Sequence, residues 1–190
     1  AASVFCEQGI DLLKALGTPF VKIASTDLTN LGLLASTAEK FNQIVLSTGM
    51  ATIEEIDASL TFLKEECGSP TVRLMHCVSR YPCPLEASAP HRVKYLRDKF
   101  GLEVGFSDHT EGVGAALMAA ACGARFFEKH FTLDKSAPGF DHKHASSPAE
   151  LTAYISALHQ GVAAVEKEPW NIAAEERETA IRARRGMYLS

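Results

Sequence analysis

Two stretches of this sequence run from apolar residues into a histidine that stands among polar side chains. The first stretch is 101–110, which contains His109, and the second is 124–132, which contains His130. Ser107 and Asp108 precede the first histidine, and Glu128 and Lys129 precede the second. Neutral imidazole is a common ligand for divalent ions, so the pair predicts a metal site. Either histidine taken alone would more often be a hydrogen-bonded structural residue.

The residues between the two histidines predict the elements that must position them. Both stretches have the length and apolar content of short buried strands, and residues 112–122 are almost entirely small and apolar. Such a segment predicts a packed helix, which Gly123 would end. Strand, helix and strand form a parallel crossover unit. The two histidines are therefore expected at the carboxyl ends of neighbouring strands, where α/β proteins keep their sites.

The rest of the chain repeats the same alternation of strand and helix. Strands are predicted to begin near residues 3, 20, 43, 71, 102 and 125, and each is followed by a helical pattern. Thr52 with Glu55, and Ser147 with Glu150, form capping boxes that predict two helix starts.

The polar residues after the strands distinguish two possible α/β folds. A doubly wound sheet concentrates its site at one switch point, whereas a (β/α)₈ barrel arranges all its strand ends around one mouth. Polar groups follow every predicted strand, so we expect a TIM-type (β/α)₈ barrel. About six βα units cannot close eight strands, so the barrel is expected to be incomplete. Residues 1–166 would form this partial barrel, and residues 167–190 would form a charged, less regular tail.

Composition excludes several classes of partner. The net charge of -4, with 22% charged and 46% hydrophobic residues, gives no sign of a nucleic-acid or membrane partner. No apolar run approaches the roughly 20 residues of a membrane span, and the start does not read as a signal peptide. Five scattered cysteines predict neither a disulfide framework nor a paired zinc motif. These features favour a reducing, cytoplasmic location.

Five strand-end motifs, in this order, resemble the N-acetylneuraminate (sialic acid) synthase family. They are Lys-Ile-Ala-Ser-Thr-Asp at 22–27, Leu-Ser-Thr-Gly-Met at 46–50, His-Cys-Val-Ser-Arg-Tyr-Pro at 76–82, Phe-Ser-Asp-His-Thr at 106–110 and Glu-Lys-His-Phe-Thr-Leu-Asp-Lys at 128–135. The resemblance runs from Ser3 to about Tyr188. It implies a barrel with two further strands before Ser3, and a small antifreeze-like domain after a lead-in at 184–188.

The resemblance also implies an activity. Members of the family condense phosphoenolpyruvate with an N-acetylated hexosamine, such as N-acetylmannosamine, to give a nine-carbon sugar acid and phosphate. They use Mn²⁺ or Mg²⁺, which can polarise the aldehyde oxygen as a Lewis acid, and the parent protein is expected to be a homodimer. Two alternatives remain open. One is a synthase for another nonulosonate, of the legionaminic or pseudaminic type, and the other is an inactive barrel fragment with a binding role.

Site residues follow from the resemblance position by position. It implies that His109 and His130 are metal ligands and that Asp27 and His76 are catalytic. The implied phosphoenolpyruvate-binding residues are Ser3, Lys22, Ser25, Ser47, Ser79 and Ser107. The implied sugar-binding residues are Tyr81 and Asp141. Ser79 departs from an asparagine that many members carry, and this departure, with the region around Phe140, motivates the alternative sugar substrates.

Each of these residues also has a plainer interpretation. Lys22 alone would read as a strand-end lysine that reaches solvent, Asp27 as a capping or turn residue, and His76 as a packed strand-end histidine. The histidines within 142–144 are better read as solvated loop residues than as a second metal site. A reactive pair of His76 with Cys77 is disfavoured, because adjacent strand residues point to opposite faces.

Overall fold

A single parallel sheet organises the molecule. The computed structural model describes residues 2–165 and 172–186. Within these ranges the sheet has six strands, whose spatial order is their order along the chain. The strands are β1 Ser3–Val4, β2 Val21–Ile23, β3 Gln43–Ser47, β4 Thr71–His76, β5 Val104–Asp108 and β6 Phe127–Lys129. Every neighbouring pair is parallel, so the predicted incomplete (β/α)₈ barrel is confirmed as a curled half-barrel.

A helix follows each strand. The helices are α1 Glu7–Ala15, α2 Leu31–Lys40, α3 Ile53–Glu65, α4 Arg92–Phe100, α5 Gly114–Ala121, α6 Pro148–Val165 and α7 Ala174–Ala183. Short 3-10 helices lie at Ser25–Asp27 and Leu85–Ala87. The tail was predicted to be less regular, but it contains α7, whose alanine and glutamate content favours a helix. The other parts of the predicted tail, at 167–171 and 187–190, lie outside the described residues.

Local signals fix the helix ends that matter for the site. Both predicted capping boxes are present. Thr52 and Glu55 exchange side-chain and backbone hydrogen bonds at the start of α3. Ser147 and Glu150 do the same before α6, at 2.7 and 3.4 Å. Gly123 follows α5 with a φ of 99°, a conformation that favours glycine, and it turns the chain towards β6.

Helices α5 and α6 pack closely because both present small residues. Ala115, Ala116 and Ala119 of α5 are fully buried. A Cβ at Gly161 of α6 would lie 2.3 Å from the end of the Leu117 side chain, so a larger residue would require that side chain to move. The contact holds α6 against the layer that covers β5 and β6.

Alternation along the strands divides the sheet into two faces. Ile23, Leu46, Leu74, Val104 and Phe106 point towards the helices and are buried in the core. Burying each such side chain contributes about 1.5–3 kcal/mol. The residues between them point into the half-barrel, and at the carboxyl ends of the strands these inner residues are polar. The sheet therefore presents a largely apolar outer face, and its inner face becomes polar at the carboxyl ends of the strands.

Within the two described ranges, no helix combines the length and apolarity needed to cross a membrane.

Candidate active site

The carboxyl ends of the strands surround a cleft of about 710 Å³. All but two of the site residues predicted from the sequence line it. They are Ser3, Lys22, Ser25, Ser47, Ser79, Tyr81, Ser107, His109, His130 and Asp141. Because the strand order follows the chain, residues far apart in sequence converge on one mouth. The expected common location of these ten residues is what the structure shows.

The two histidines lie side by side at the ends of β5 and β6. Their ring centroids are 5.4 Å apart, and the Tyr81 ring is 4.2 Å from His109 and 5.4 Å from His130. The Nδ1 of His109 is 2.7 Å from the Val78 carbonyl oxygen, so this nitrogen carries the proton. Burial lowers the pKa of His109, outweighing that hydrogen bond, and therefore favours its neutral form. The Nδ1 of His130 is 3.7 Å from the nearer Asp141 carboxylate oxygen.

A polar network crosses the inner face of the half-barrel. The Glu128 carboxylate on β6 accepts a hydrogen bond from the Ser107 hydroxyl at 2.7 Å. Its other oxygen lies 3.4 Å from the Lys22 ammonium, which also reaches the Ser3 hydroxyl at 3.5 Å. Ser107 is in turn 3.1 Å from the Nε2 of His109. Glu128 thus connects the lysine on β2 with the histidine that follows β5.

A second group of small polar residues forms the floor of the cleft near β3 and β4. Gly49 donates its N–H to the Ser25 hydroxyl at 3.0 Å, and that hydroxyl is 3.2 Å from the Cys77 sulfur. A Cβ at Gly49 would lie 2.5 Å from the Ser79 hydroxyl oxygen, so glycine is required here. The Ser47 hydroxyl is buried and has no hydrogen-bond partner in the described part of the chain. It is therefore available to a ligand.

Two predicted site residues do not reach the cleft. His76 is 2% exposed, its Nε2–H donates to the Ser88 carbonyl at 3.0 Å, and its ring contacts Phe106. Burial lowers the pKa of His76 to about 4. The reason for its position is strand alternation, which turns His76 towards the helices and gives the inner position to Cys77.

Asp27 is the other residue that lies away from the cleft. Its carboxylate accepts hydrogen bonds from Thr26 at 2.9 Å and from Asn30 at 3.2 Å, next to the start of α2. Asn30 is itself the N-cap of α2. These contacts match the plainer interpretation of Asp27 as a turn residue beside a helix cap.

The structure adds residues to the site that the sequence analysis did not assign. Cys77 and Glu128 line the cleft, and so do Phe5, Thr26 and Met50. Alternation along β4 and β6 was the signal that could have found Cys77 and Glu128, since it places them on the same face as the other site residues. Phe5 and Met50 lie outside the strands and carried no such signal.

The loop histidines of 142–144 are not brought into the pair. The Nδ1 of His142 is 2.6 Å from the Thr132 hydroxyl. In the parts of the chain that the structure covers, no three His, Cys, Asp or Glu side chains are close enough to hold an ion together.

Comparisons with known proteins agree with this geometry. Residues 1–168 match the NeuB family. The chain is 41% identical, over 80% of its length, to the N,N'-diacetyllegionaminic acid synthase of Campylobacter jejuni. It is 38% identical, over 83% of its length, to the N-acetylneuraminate-9-phosphate synthase of Drosophila melanogaster. The chain spans 46% and 42% of these two relatives.

A solved structure gives the same picture. The N-acetylneuraminic acid synthetase of Leptospira borgpetersenii, crystallised with citrate, superposes with a TM-score of 0.84 at 30% identity. The match covers 95% of this chain and 62% of that one. The half-barrel is therefore similar to more than half of a longer enzyme chain.

Proposed function

This chain belongs to the NeuB family, and we propose that its parent protein condenses phosphoenolpyruvate with an N-acetylated hexosamine. The products would be a nine-carbon, sialic-acid-like sugar acid and phosphate. One observation carries the proposal. Lys22, several serine hydroxyls and the pair His109 and His130 share one cleft at the mouth of the half-barrel.

The cations and hydroxyls of the cleft suit an anionic substrate. Phosphoenolpyruvate carries a phosphate and a carboxylate, which ammonium and hydroxyl groups bind through charge-assisted hydrogen bonds. Lys22 is held at the inner face by Ser3 and Glu128. The Ser47 hydroxyl faces the same cleft without a protein partner in the described residues. These groups would bind and orient the phosphoenolpyruvate.

The histidine pair supports a divalent metal in the proposed reaction. His109 and His130 would hold the ion, with the Asp141 carboxylate nearby. Imidazole and carboxylate together favour Mn²⁺ over Mg²⁺, because Mg²⁺ is bound chiefly through oxygen atoms. When bound, the ion would supply a Lewis acid for a substrate carbonyl oxygen. Two protein imidazoles leave coordination positions open, which fits a catalytic site better than a structural one.

Phosphate release tests the proposal directly. The intact protein that contains this chain would be incubated with phosphoenolpyruvate, N-acetylmannosamine and Mn²⁺, and phosphate release and the sugar acid would be measured. Omission of the sugar is the control for simple phosphatase activity. Sugar-dependent release is the expected result. Failure to turn over any N-acetylated aldose would contradict the proposal and favour the alternative of a barrel fragment with a binding role.

A second candidate substrate is a deoxygenated hexosamine with two acetamido groups, as in legionaminic or pseudaminic acid synthesis. The rim of the cleft favours it, because Phe5 and Met50 line the cleft, Phe140 lies 6.5 Å from the Tyr81 ring, and these three side chains are 63%, 68% and 74% exposed. Such apolar side chains suit additional methyl groups better than hydroxyl groups. The named activity of the Campylobacter relative agrees. Competition between N-acetylmannosamine and the diacetamido sugar would decide between the two substrates. A homodimeric parent and a cytoplasmic location stay predictions.

A further inference from the structure

A buried ion pair lies directly behind the two histidines, on the opposite face of the sheet. Asp108 and Lys129 are register partners in β5 and β6, and each precedes one of the histidines in sequence. Their charged groups are 3.2 Å apart, and their side chains are 0% and 7% exposed. Neighbouring residues of a strand point to opposite faces, so the alternation that turns His109 and His130 towards the cleft turns Asp108 and Lys129 towards the helices.

The pair also holds the loop that follows His109. The Asp108 carboxylate accepts hydrogen bonds from the backbone N–H and the hydroxyl of Thr110, at 2.8 and 2.7 Å. The Lys129 ammonium donates to the Thr110 carbonyl and, at 3.5 Å, to that of Gly112. Both partners thus contact the chain within a few residues of His109.

Helix α6 covers the pair through Tyr154. The Lys129 ammonium lies 5.2 Å from the centre of the Tyr154 ring, a cation–π distance. Burial, and then the neighbouring Asp108 carboxylate, raise the pKa of the Tyr154 hydroxyl far above its usual range. Tyr154 therefore covers part of the pair, beside a pocket that Thr110, Gly112 and Lys129 also line.

Stability alone does not explain a pair of charges at this position. Desolvation offsets much of the attraction in a buried ion pair, and apolar side chains of similar volume are often at least as stable. On the same face of the sheet, nearer the amino ends of the strands, the register partners Leu46, Leu74 and Val104 are apolar. In some proteins, however, a buried polar or charged pair fixes the register of the elements that carry it.

We infer that the Asp108–Lys129 pair is a positioning element that fixes the spacing of the His109 and His130 imidazoles. The inference rests on the proposed function only in taking the two histidines as the site. Residues beyond the direct ligands that orient a site commonly change its metal affinity about 10- to 100-fold when they are replaced. The pair would act through the ends of β5 and β6 and not by touching a substrate.

The test separates positioning from stability by removing one charge and then both. Lys129→Met leaves the Asp108 carboxylate buried without its cation, so the unfolding temperature should fall. D108N/K129M removes both charges, so most of the unfolding temperature should return. If the pair positions the histidines, the imidazole NMR resonances of the double variant should differ from those of the wild-type chain even though its stability has returned. The cross-peak between the two rings should also be lost. Mn²⁺ binding should weaken about 10-fold.

A matched control lies at the other end of the sheet. Arg73 and Glu103 form an ion pair at 2.6 Å that is partly exposed. Arg73→Met should leave the histidine resonances and their cross-peak as in the wild-type chain. If D108N/K129M regains its unfolding temperature and also keeps wild-type histidine resonances, the pair is merely structural and the inference fails.

A milder variant decides the question if the double variant does not fold. Thr110→Val removes one hydrogen bond to Asp108 and keeps both charges and the volume. It should shift the His109 resonances and leave those of His130 nearly unchanged, and unchanged His109 resonances would contradict the inference. The NMR readout needs neither metal nor turnover. If these shifts were observed but the intact protein showed no sugar-dependent phosphate release, the proposed function would be contradicted and this inference would stand.

Discussion

The two faces of the β5 and β6 strand ends are built in opposite ways. On the cleft side, Ser107 and Glu128 line the cleft, and Glu128 accepts a hydrogen bond from the buried Ser107 hydroxyl. On the helix side, the Asp108 and Lys129 side chains are buried, paired with each other and hydrogen-bonded to Thr110. The residues alternate one by one along the same two strands. The difference teaches that polar residues of one motif can have two roles. Alternate residues of a strand point to opposite faces, so some face the ligand cleft and the others face the helices.

The largest expected effect comes from breaking the buried side of this comparison. Asp108→Asn removes the carboxylate and leaves the Lys129 cation buried, which should cost about 3–5 kcal/mol in the free energy of unfolding. Urea denaturation measures the loss. Glu103→Gln is the matched control, because its partner Arg73 is partly exposed and exposed pairs contribute about 0–1 kcal/mol. Equal losses of unfolding free energy in the two variants would contradict the view that the Asp108–Lys129 pair is buried in a way that the Arg73–Glu103 pair is not.

A pH titration addresses another buried ionisable residue on the helix side, His76. Its pKa is lowered from 6.5 to about 4 by burial, so the unfolded chain binds a proton between these values and the folded chain does not. Stability should therefore be complete above pH 6.5 and should fall as the pH decreases towards 4, by about 3 kcal/mol at most. The lowered pKa of His109 acts in the same direction.

His76→Asn isolates this contribution. The variant loses a hydrogen bond to Ser88 and should be less stable at neutral pH, but its stability should depend less steeply on pH. The slope of unfolding free energy against pH is compared with that of the wild-type chain. Identical slopes would show that His76 is not the group whose protonation destabilises the fold.

Replacing a cleft-side acid should affect activity more than stability. Glu128→Gln keeps the volume but removes the charge that faces Lys22 at 3.4 Å. The unfolding free energy should change by less than about 1 kcal/mol, since the pair is partly exposed. Turnover of the intact enzyme should fall about 10- to 100-fold, because charge-assisted hydrogen bonds are worth about 1.5–3 kcal/mol. A stability loss as large as that of Asp108→Asn would contradict the assignment of the two faces.

Most of the fold could be predicted from sequence, because buried strands, capping boxes and glycine stops are local signals. β3 and β4 begin where they were expected, at Gln43 and Thr71. The mouth of the barrel followed from strand order. The prediction was less informative where a side chain's direction decides its role. His76 and Cys77 are adjacent, so they point to opposite faces of the sheet. Which of them faces the cleft depends on which residues of β4 point inward.

Contacts that depend on the curvature of the sheet could not be predicted. The approach of Lys22 to Glu128 joins β2 to β6, and no local pattern encodes that distance. The burial of Lys129 depends on where α6 packs, which in turn depends on the contact between Gly161 and Leu117. Sequence placed the polar residues at the strand ends, and three-dimensional packing divided them between the faces.

The smallest expected effect concerns the rim of the cleft, at Phe140. Its ring is 74% exposed and meets Tyr81 edge-on at 6.5 Å between centroids. Phe140→Ala should change the unfolding free energy by less than about 0.5 kcal/mol, as is usual for surface residues. If the rim contacts substrate methyl groups, the preference for a diacetamido sugar over N-acetylmannosamine should fall about 10-fold, in line with the loss of one apolar contact. The ratio of kcat/KM for the two sugars measures this.

Leu133→Ala, at an 82% exposed loop residue outside the cleft, is the control. A preference that falls equally in both variants would show that the rim does not select the sugar.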